Sequence, residues 1–126
     1  MSMPAPVPTP ETTWFWEAAR QHRLMLPKCV SCARTHWYPR AICPHCLGDA
    51  SDRIEASGEG VIYTYTVMRR VAEPYALAYV TLAEGPTMLA QLVDCDFNGL
   101  KVGGRVKLAW VPSADGTPMP CFTPVA

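Results

Sequence analysis

The sequence predicts a mainly β protein in which a short N-terminal helix and a small cysteine-built ribbon precede a five-stranded barrel. Three observations carry this expectation. Four of the six cysteines fall into two C-x-x-C pairs, Cys29-Val-Ser-Cys32 and Cys43-Pro-His-Cys46, with ten residues between them. Ahead of them, residues 12–24 set aromatic, alanine and arginine residues behind a threonine start, a helix pattern. Beyond Gly58 the chain changes to period-two alternation in five short runs. The 126 residues are 49% hydrophobic and 17% charged, which is enough apolar material to bury a core.

Each C-x-x-C pair can hold two thiolates on one side of a tight turn. Two such knuckles facing each other make a tetrahedral four-sulfur site, which suits zinc. The expected ligands are therefore Cys29, Cys32, Cys43 and Cys46. Pro44 presets the backbone of the second knuckle. The gap is shorter than the roughly 15–20 residues of the usual template, but two hairpin arms still fit. Four protein ligands close the coordination shell, so the metal is expected to be structural. Iron, as in rubredoxin, is the alternative, and colour would expose it. A disulfide framework does not match this spacing. Cys95 and Cys121 have no neighbouring histidine and read as small buried hydrophobes. His45 lies inside a knuckle whose shell is already complete, and neither His22 nor His36 has a sequence partner that would make it a general base.

Element by element, residues 1–11 carry four alternating prolines and should form an extended, poorly ordered arm. Thr12 to Leu24 reads as a helix of about three turns, with Glu17 near its first turn. Trp14, Phe15 and Trp16 cannot all face one core, so at least one is a candidate contact surface, and Trp37 joins them as a candidate anchor for a partner. Folding of the helix onto its own domain by these aromatics is the competing reading. Leu24 to Pro27 is a short strand, Thr35 to Pro39 the arm between the knuckles, and residues 48–58 a polar linker. Strands follow at 60–68, 75–82, 87–93, 105–111 and 120–123. Five short strands with no room for a long helix fit a small closed barrel, of which the OB-fold is the natural choice and an SH3-like barrel the runner-up. The expected division is arm and helix at 1–23, zinc ribbon at 24–47 and barrel at 58–124. The ribbon is too small to hold itself without metal.

Eleven Lys/Arg balance eleven Asp/Glu, which argues against a general polyanion binder. The neutrality is a cancellation. Residues 1–48 hold five basic and two acidic side chains, residues 49–126 six and nine, and no acidic residue lies between Ala18 and Gly48. A single-stranded nucleic-acid module, with Tyr63, Tyr65 and Tyr79 as stacking platforms, is the alternative function. The acidic barrel half speaks against it. The chain has no apolar run of membrane-spanning length, and its first ten residues lack the basic start and apolar core of a signal peptide, so a soluble cytoplasmic protein is expected.

Several motifs together carry a resemblance. In order they are Trp14-Phe-Trp16, Leu26-Pro-Lys-Cys29-x-x-Cys32, Tyr38-Pro-Arg40 and Cys43-Pro-x-Cys46, then Gly58-x-Gly-x-Ile-Tyr-Thr64, Val80-x-Leu-x-Glu-Gly-Pro86 and Leu100-x-Val-Gly103-x-x-Val106. From about residue 12 to 124 the chain resembles the zinc-ribbon/OB-fold acyl-CoA-associated family, long catalogued as a domain of unknown function. It departs from the pattern in lacking glycine directly after each knuckle, where Ala33 and Leu47 stand. The resemblance implies a non-catalytic subunit accompanying thiolase-superfamily enzymes (thiolases, synthases or aldolases) or acyl-CoA hydratases. It also implies an acyl-CoA site to which the barrel contributes. Arg40, Arg69 and Arg70 are then candidates for the CoA phosphates. No catalytic constellation is evident, since Cys95 and Cys121 lack histidine companions.

Overall fold

The backbone of the computed structural model, described for residues 3–125, forms one α-helix, a 3-10 turn at Phe97–Gly99 and two sheets. Helix α1 spans Thr13–Ala19. Strands β1 (Met25–Cys29) and β2 (Ser51–Glu55) pair antiparallel with Leu26 opposite Ile54. The remaining strands are β3 (Glu59–Met68), β4 (Tyr75–Leu82), β5 (Thr87–Leu92), β6 (Arg105–Pro112) and β7 (Pro118–Pro124). They close into a barrel in the order β3-β4-β5-β7-β6. This is the expected OB-fold architecture behind a ribbon.

Alternation builds the barrel. Along β4, Ala76, Ala78, Val80 and Leu82 point inward, facing Met88, Ala90 and Leu92 of β5 and Phe122 of β7. A register shift between Ile62 and Thr64 re-phases β3. Gly60 is required by space: a Cβ there would lie 2.6 Å from Val80 Cγ1 and 2.9 Å from the Thr81 carbonyl oxygen. Closure is thinnest between β5 and β7, which share a single parallel register pair, Leu92 with Phe122.

The helix stops well before Leu24. His22 adopts a left-handed φ of 57°, its N–H donates to the Ala19 carbonyl, and the Arg23 N–H donates to that of Ala18. This is a Schellman termination with histidine in the place glycine usually takes. The imidazole stacks on Trp110 of β6 at 5.6 Å, which holds the turn.

Residues 48–58 are not a plain linker, because Ser51–Glu55 completes the ribbon as β2. Its polar sequence becomes a strand through the hydrogen bonds offered by β1. The N-terminal arm has no regular structure over residues 3–9, yet the Met3 carbonyl accepts a 2.8 Å bond from the Ala114 N–H, tying it to the β6–β7 turn.

The ribbon and barrel share one core. Phe15 and Trp16 are buried, and Phe15 meets Trp16 and Trp37 edge-on at 4.9 and 5.0 Å. Leu24 and Leu26 continue that cluster into the barrel residues. Phe15 and Trp16 therefore serve mainly the interior, seating α1 against β1 and β7, and only their edges line the cavity beside Leu89 and Met119. Trp14 is half-buried under the Arg53 guanidinium, 4.5 Å from its ring, and Trp37 is also half-buried.

Candidate metal centre

The two knuckles are built by the same pair of backbone bonds. In the first, the Ala33 N–H donates to the Cys29 carbonyl at 3.0 Å and the Cys29 N–H to that of Arg34 at 2.9 Å. In the second, the Leu47 N–H donates to the Cys43 carbonyl at 2.9 Å and the Cys43 N–H to that of Gly48 at 2.8 Å. Ala33 and Leu47 take φ values of 61° and 65°. The missing glycines thus fall where the turn demands a left-handed residue, and the chain adopts that conformation regardless.

The four sulfurs converge, every pair within 4.8 Å. Cys29 Sγ lies 3.5 Å from Cys46 Sγ, and Cys32 Sγ lies 3.8 Å from Cys43 Sγ. A tetrahedron with metal–sulfur bonds of about 2.3 Å has edges of about 3.8 Å, so the residues fit zinc without rearrangement. The bonds from Cys32 and Ser31 backbone groups and the Cys46 side chain outweigh burial at Cys29, with Cys32 foremost, and bring its thiol down to about 7. The His45 N–H donates to Cys43 Sγ at 3.4 Å. His45 contributes its backbone, and its imidazole is not part of the cluster. Gly48 closes the site: a Cβ there would sit 3.3 Å from Cys46 Sγ and 3.2 Å from Ser31 Oγ. Four cysteine ligands leave no open coordination position, so the zinc they hold is structural.

The arginine candidates are not brought together. Arg40 lies in a cleft with Glu84 and Thr87 at the β4–β5 turn. Arg69 and Arg70 follow the opposite end of β3, where Met68 faces Tyr75 and Arg69 Nη2 donates to Asn98 Oδ1 at 3.2 Å. Ten strand residues separate these ends, roughly 30 Å at about 3.3 Å per residue. Cys121 is buried, which pushes its thiol up to about 11, and Cys95 is raised by burial and then by Asp94 and Asp96. Neither is an activated nucleophile. Of the tyrosines, Tyr63 and Tyr79 are exposed, whereas Tyr65 donates its hydroxyl to the Leu100 carbonyl at 2.9 Å and belongs to the packing. Among the described residues, no helix is long and apolar enough to cross a membrane.

In the sequence His36 has no partner, and Glu84 stands only within the Glu-Gly-Pro86 run. The fold buries His36 to 3% exposure with its Nδ1 unpartnered, and also leaves Glu84 Oε1 buried without a partner. No local motif signals this pair, because the two residues border one cleft only through the docking of ribbon on barrel.

Comparison with known proteins finds two adjacent family models. A family model described as the ChsH2 rubredoxin-like zinc ribbon domain matches residues 16–52, and one described as the ChsH2 C-terminal OB-fold domain matches residues 53–111. The chain belongs to the ChsH2 (DUF35) family. A DUF35 domain-containing scaffold protein of Methanothermobacter thermautotrophicus is 31% identical over 79% of the chain and 81% of that relative. A probable enoyl-CoA hydratase alpha subunit of Thermomonospora curvata is 31% identical over 96% of the chain, and the DUF35 chain spans only 40% of that longer protein. Among solved structures, one described as the Ltp2-ChsH2(DUF35) aldolase superposes with a TM-score of 0.87 at 30% identity, covering 97% of this chain and all of that one. A DUF35 protein of unknown function from Sulfolobus solfataricus shares the fold, with a TM-score of 0.69 at 19% identity over 92% of this chain and 86% of that one.

Proposed function

We propose that this DUF35 chain is a non-catalytic accessory subunit. In this reading it scaffolds a thiolase-superfamily or acyl-CoA hydratase partner and contributes a wall to that partner's acyl-CoA site. The observation that carries the reading is the match along nearly the whole chain to the DUF35 component of the Ltp2-ChsH2 aldolase. The scaffold-protein and hydratase-subunit relatives support it. So does the setting of Cys95 and Cys121, whose surroundings push both thiols up, away from activation as nucleophiles.

The division of labour follows from the parts. Zinc fixes the ribbon, Phe15, Trp16 and Trp37 lock ribbon to barrel, and the joined pair presents a preformed surface. Trp14 and Trp37, the half-buried aromatics, remain interface candidates. A CoA phosphate can use Arg40 or the Arg69–Arg70 end, but one phosphate group cannot bridge both. Affinity capture of the tagged chain from its source cells, followed by mass spectrometry, tests the reading. A thiolase-like or hydratase-like enzyme is expected to co-purify and to turn over acyl-CoA, with no turnover by the chain alone. Turnover by the isolated chain, or capture of nucleic acid without any such enzyme, overturns it.

A further inference from the structure

Between the arm joining the knuckles and the β4–β5 turn lies a cleft of about 570 Å³, bordered by Arg34, His36, Trp37, Arg40, His45 and Glu84. Two buried polar atoms in these walls have no partner, His36 Nδ1 and Glu84 Oε1. Glu84 is fixed from behind, its Oε2 accepting a 2.9 Å bond from the Ser57 N–H. Buried polar groups in a folded protein are ordinarily satisfied, so an unsatisfied pair beside one cleft calls for an occupant. Arg34 and Arg40 have no carboxylate within ion-pairing distance among the described residues. The His36 ring borders the cleft, and its cationic form is disfavoured first by burial and further by the nearby Arg40 and His45.

These groups ask for a particular ligand chemistry. Two free guanidiniums suit phosphate oxygens. A carboxylate facing them repels a bare phosphate, but it accepts bonds from hydroxyl or amino groups carried beside one. A nucleoside phosphate bears both, and a glutamate holding ribose hydroxyls is a recurrent solution. We propose that this cleft receives the nucleoside-phosphate end of the CoA ester, with Arg34 and Arg40 on phosphate and Glu84 on hydroxyl or amine. This rests on the acyl-CoA reading above and deepens it. Continuity points the same way. Trp37 and β5 also border an apolar cavity of about 410 Å³ at the thin β5–β7 closure, where Leu77, Leu89 and Met119 offer a path for the rest of the ester.

The test is calorimetric titration of the zinc-loaded full chain with adenosine 3′,5′-bisphosphate, inorganic phosphate and an acyl-CoA. The bisphosphate is expected to bind, and Arg34→Ala with Arg40→Ala to weaken it by at least about tenfold through lost charge-assisted bonds. Lys101→Ala, an exposed cation outside the cleft, should leave it unchanged. Glu84→Gln should weaken the bisphosphate yet strengthen inorganic phosphate, because a like charge has gone. Zinc content and circular dichroism confirm that each variant is folded. Absence of bisphosphate binding at millimolar concentration overturns the proposal. So does acyl-CoA binding that survives the Arg34/Arg40 change intact, although the acyl-CoA reading then stands. Bisphosphate binding that no acyl-CoA displaces overturns the acyl-CoA reading and leaves a nucleoside-phosphate cleft.

Discussion

The ribbon and the barrel are held together by different physics. The barrel is closed by hydrogen-bonded strands around Ile62, Val80, Met88 and Phe122, all essentially withdrawn from water. The ribbon has two five-residue strands, a few buried side chains and one four-sulfur centre. Its knuckles also tolerate left-handed Ala33 and Leu47, a conformation that costs roughly 1–2 kcal/mol per residue for side chains with a Cβ. Order in the ribbon is therefore conditional on metal, while order in the barrel is conditional on packing. Phe15, Trp16 and Trp37 couple the two. The four-sulfur centre thus organises the ribbon, and strand pairing around an apolar interior organises the barrel.

Removing a metal ligand should expose that contrast most sharply. Structural zinc in small ribbons contributes about 10–16 kcal/mol of apparent binding free energy, which doubles as folding free energy. Cys29→Ser should lose zinc by orders of magnitude and abolish partner assembly, while barrel amides stay dispersed and protected in NMR spectra. Full zinc content in that variant would remove Cys29 from the ligand set. Collapse of the barrel signals as well would make the two regions one cooperative unit.

The coupling itself comes next in size. Phe15→Ala deletes the ring at the helix–ribbon–barrel junction and should cost about 3–5 kcal/mol in equilibrium denaturation. If the barrel carries its own core, that loss appears as an earlier, separate transition of the helix and ribbon. A single unshifted transition would mean the junction contributes little.

The smallest effect has the opposite sign. Leu47 is 76% exposed, so Leu47→Gly sacrifices almost no burial while relieving the left-handed backbone. The zinc-loaded protein should gain up to about 1 kcal/mol after the added flexibility of the unfolded chain is counted. A loss of partner binding in the stabilised variant would identify Leu47 as a docking contact.

How far each part could be read from sequence follows the same divide. The barrel strands were legible to within a residue or two because alternation is a local signal, as Tyr75–Leu82 shows. The zinc ligands were legible because the coordination geometry imposes their spacing. Strand β2 was not, because Ser-Asp-Arg-Ile-Glu has one apolar residue and becomes a strand only by pairing with β1. The helix end was missed because His22, held by stacking on Trp110, fills a position that glycine normally marks. The division of the aromatics depends on tertiary docking, which buries Phe15 and Trp16 and leaves Trp14 partly open. The cleft of His36 and Glu84 was invisible for the same reason. Chemistry that arises between modules is not written in either one.

The central claim is that a zinc-fixed ribbon and an OB-fold barrel together scaffold an acyl-CoA enzyme. Native mass spectrometry of the chain co-expressed with the enzyme it captures addresses this directly. A complex of defined stoichiometry, carrying one zinc per DUF35 chain and lost on chelation, is the expected spectrum. A complex that persists unchanged after the zinc is stripped, or two proteins that never associate, would refute the claim.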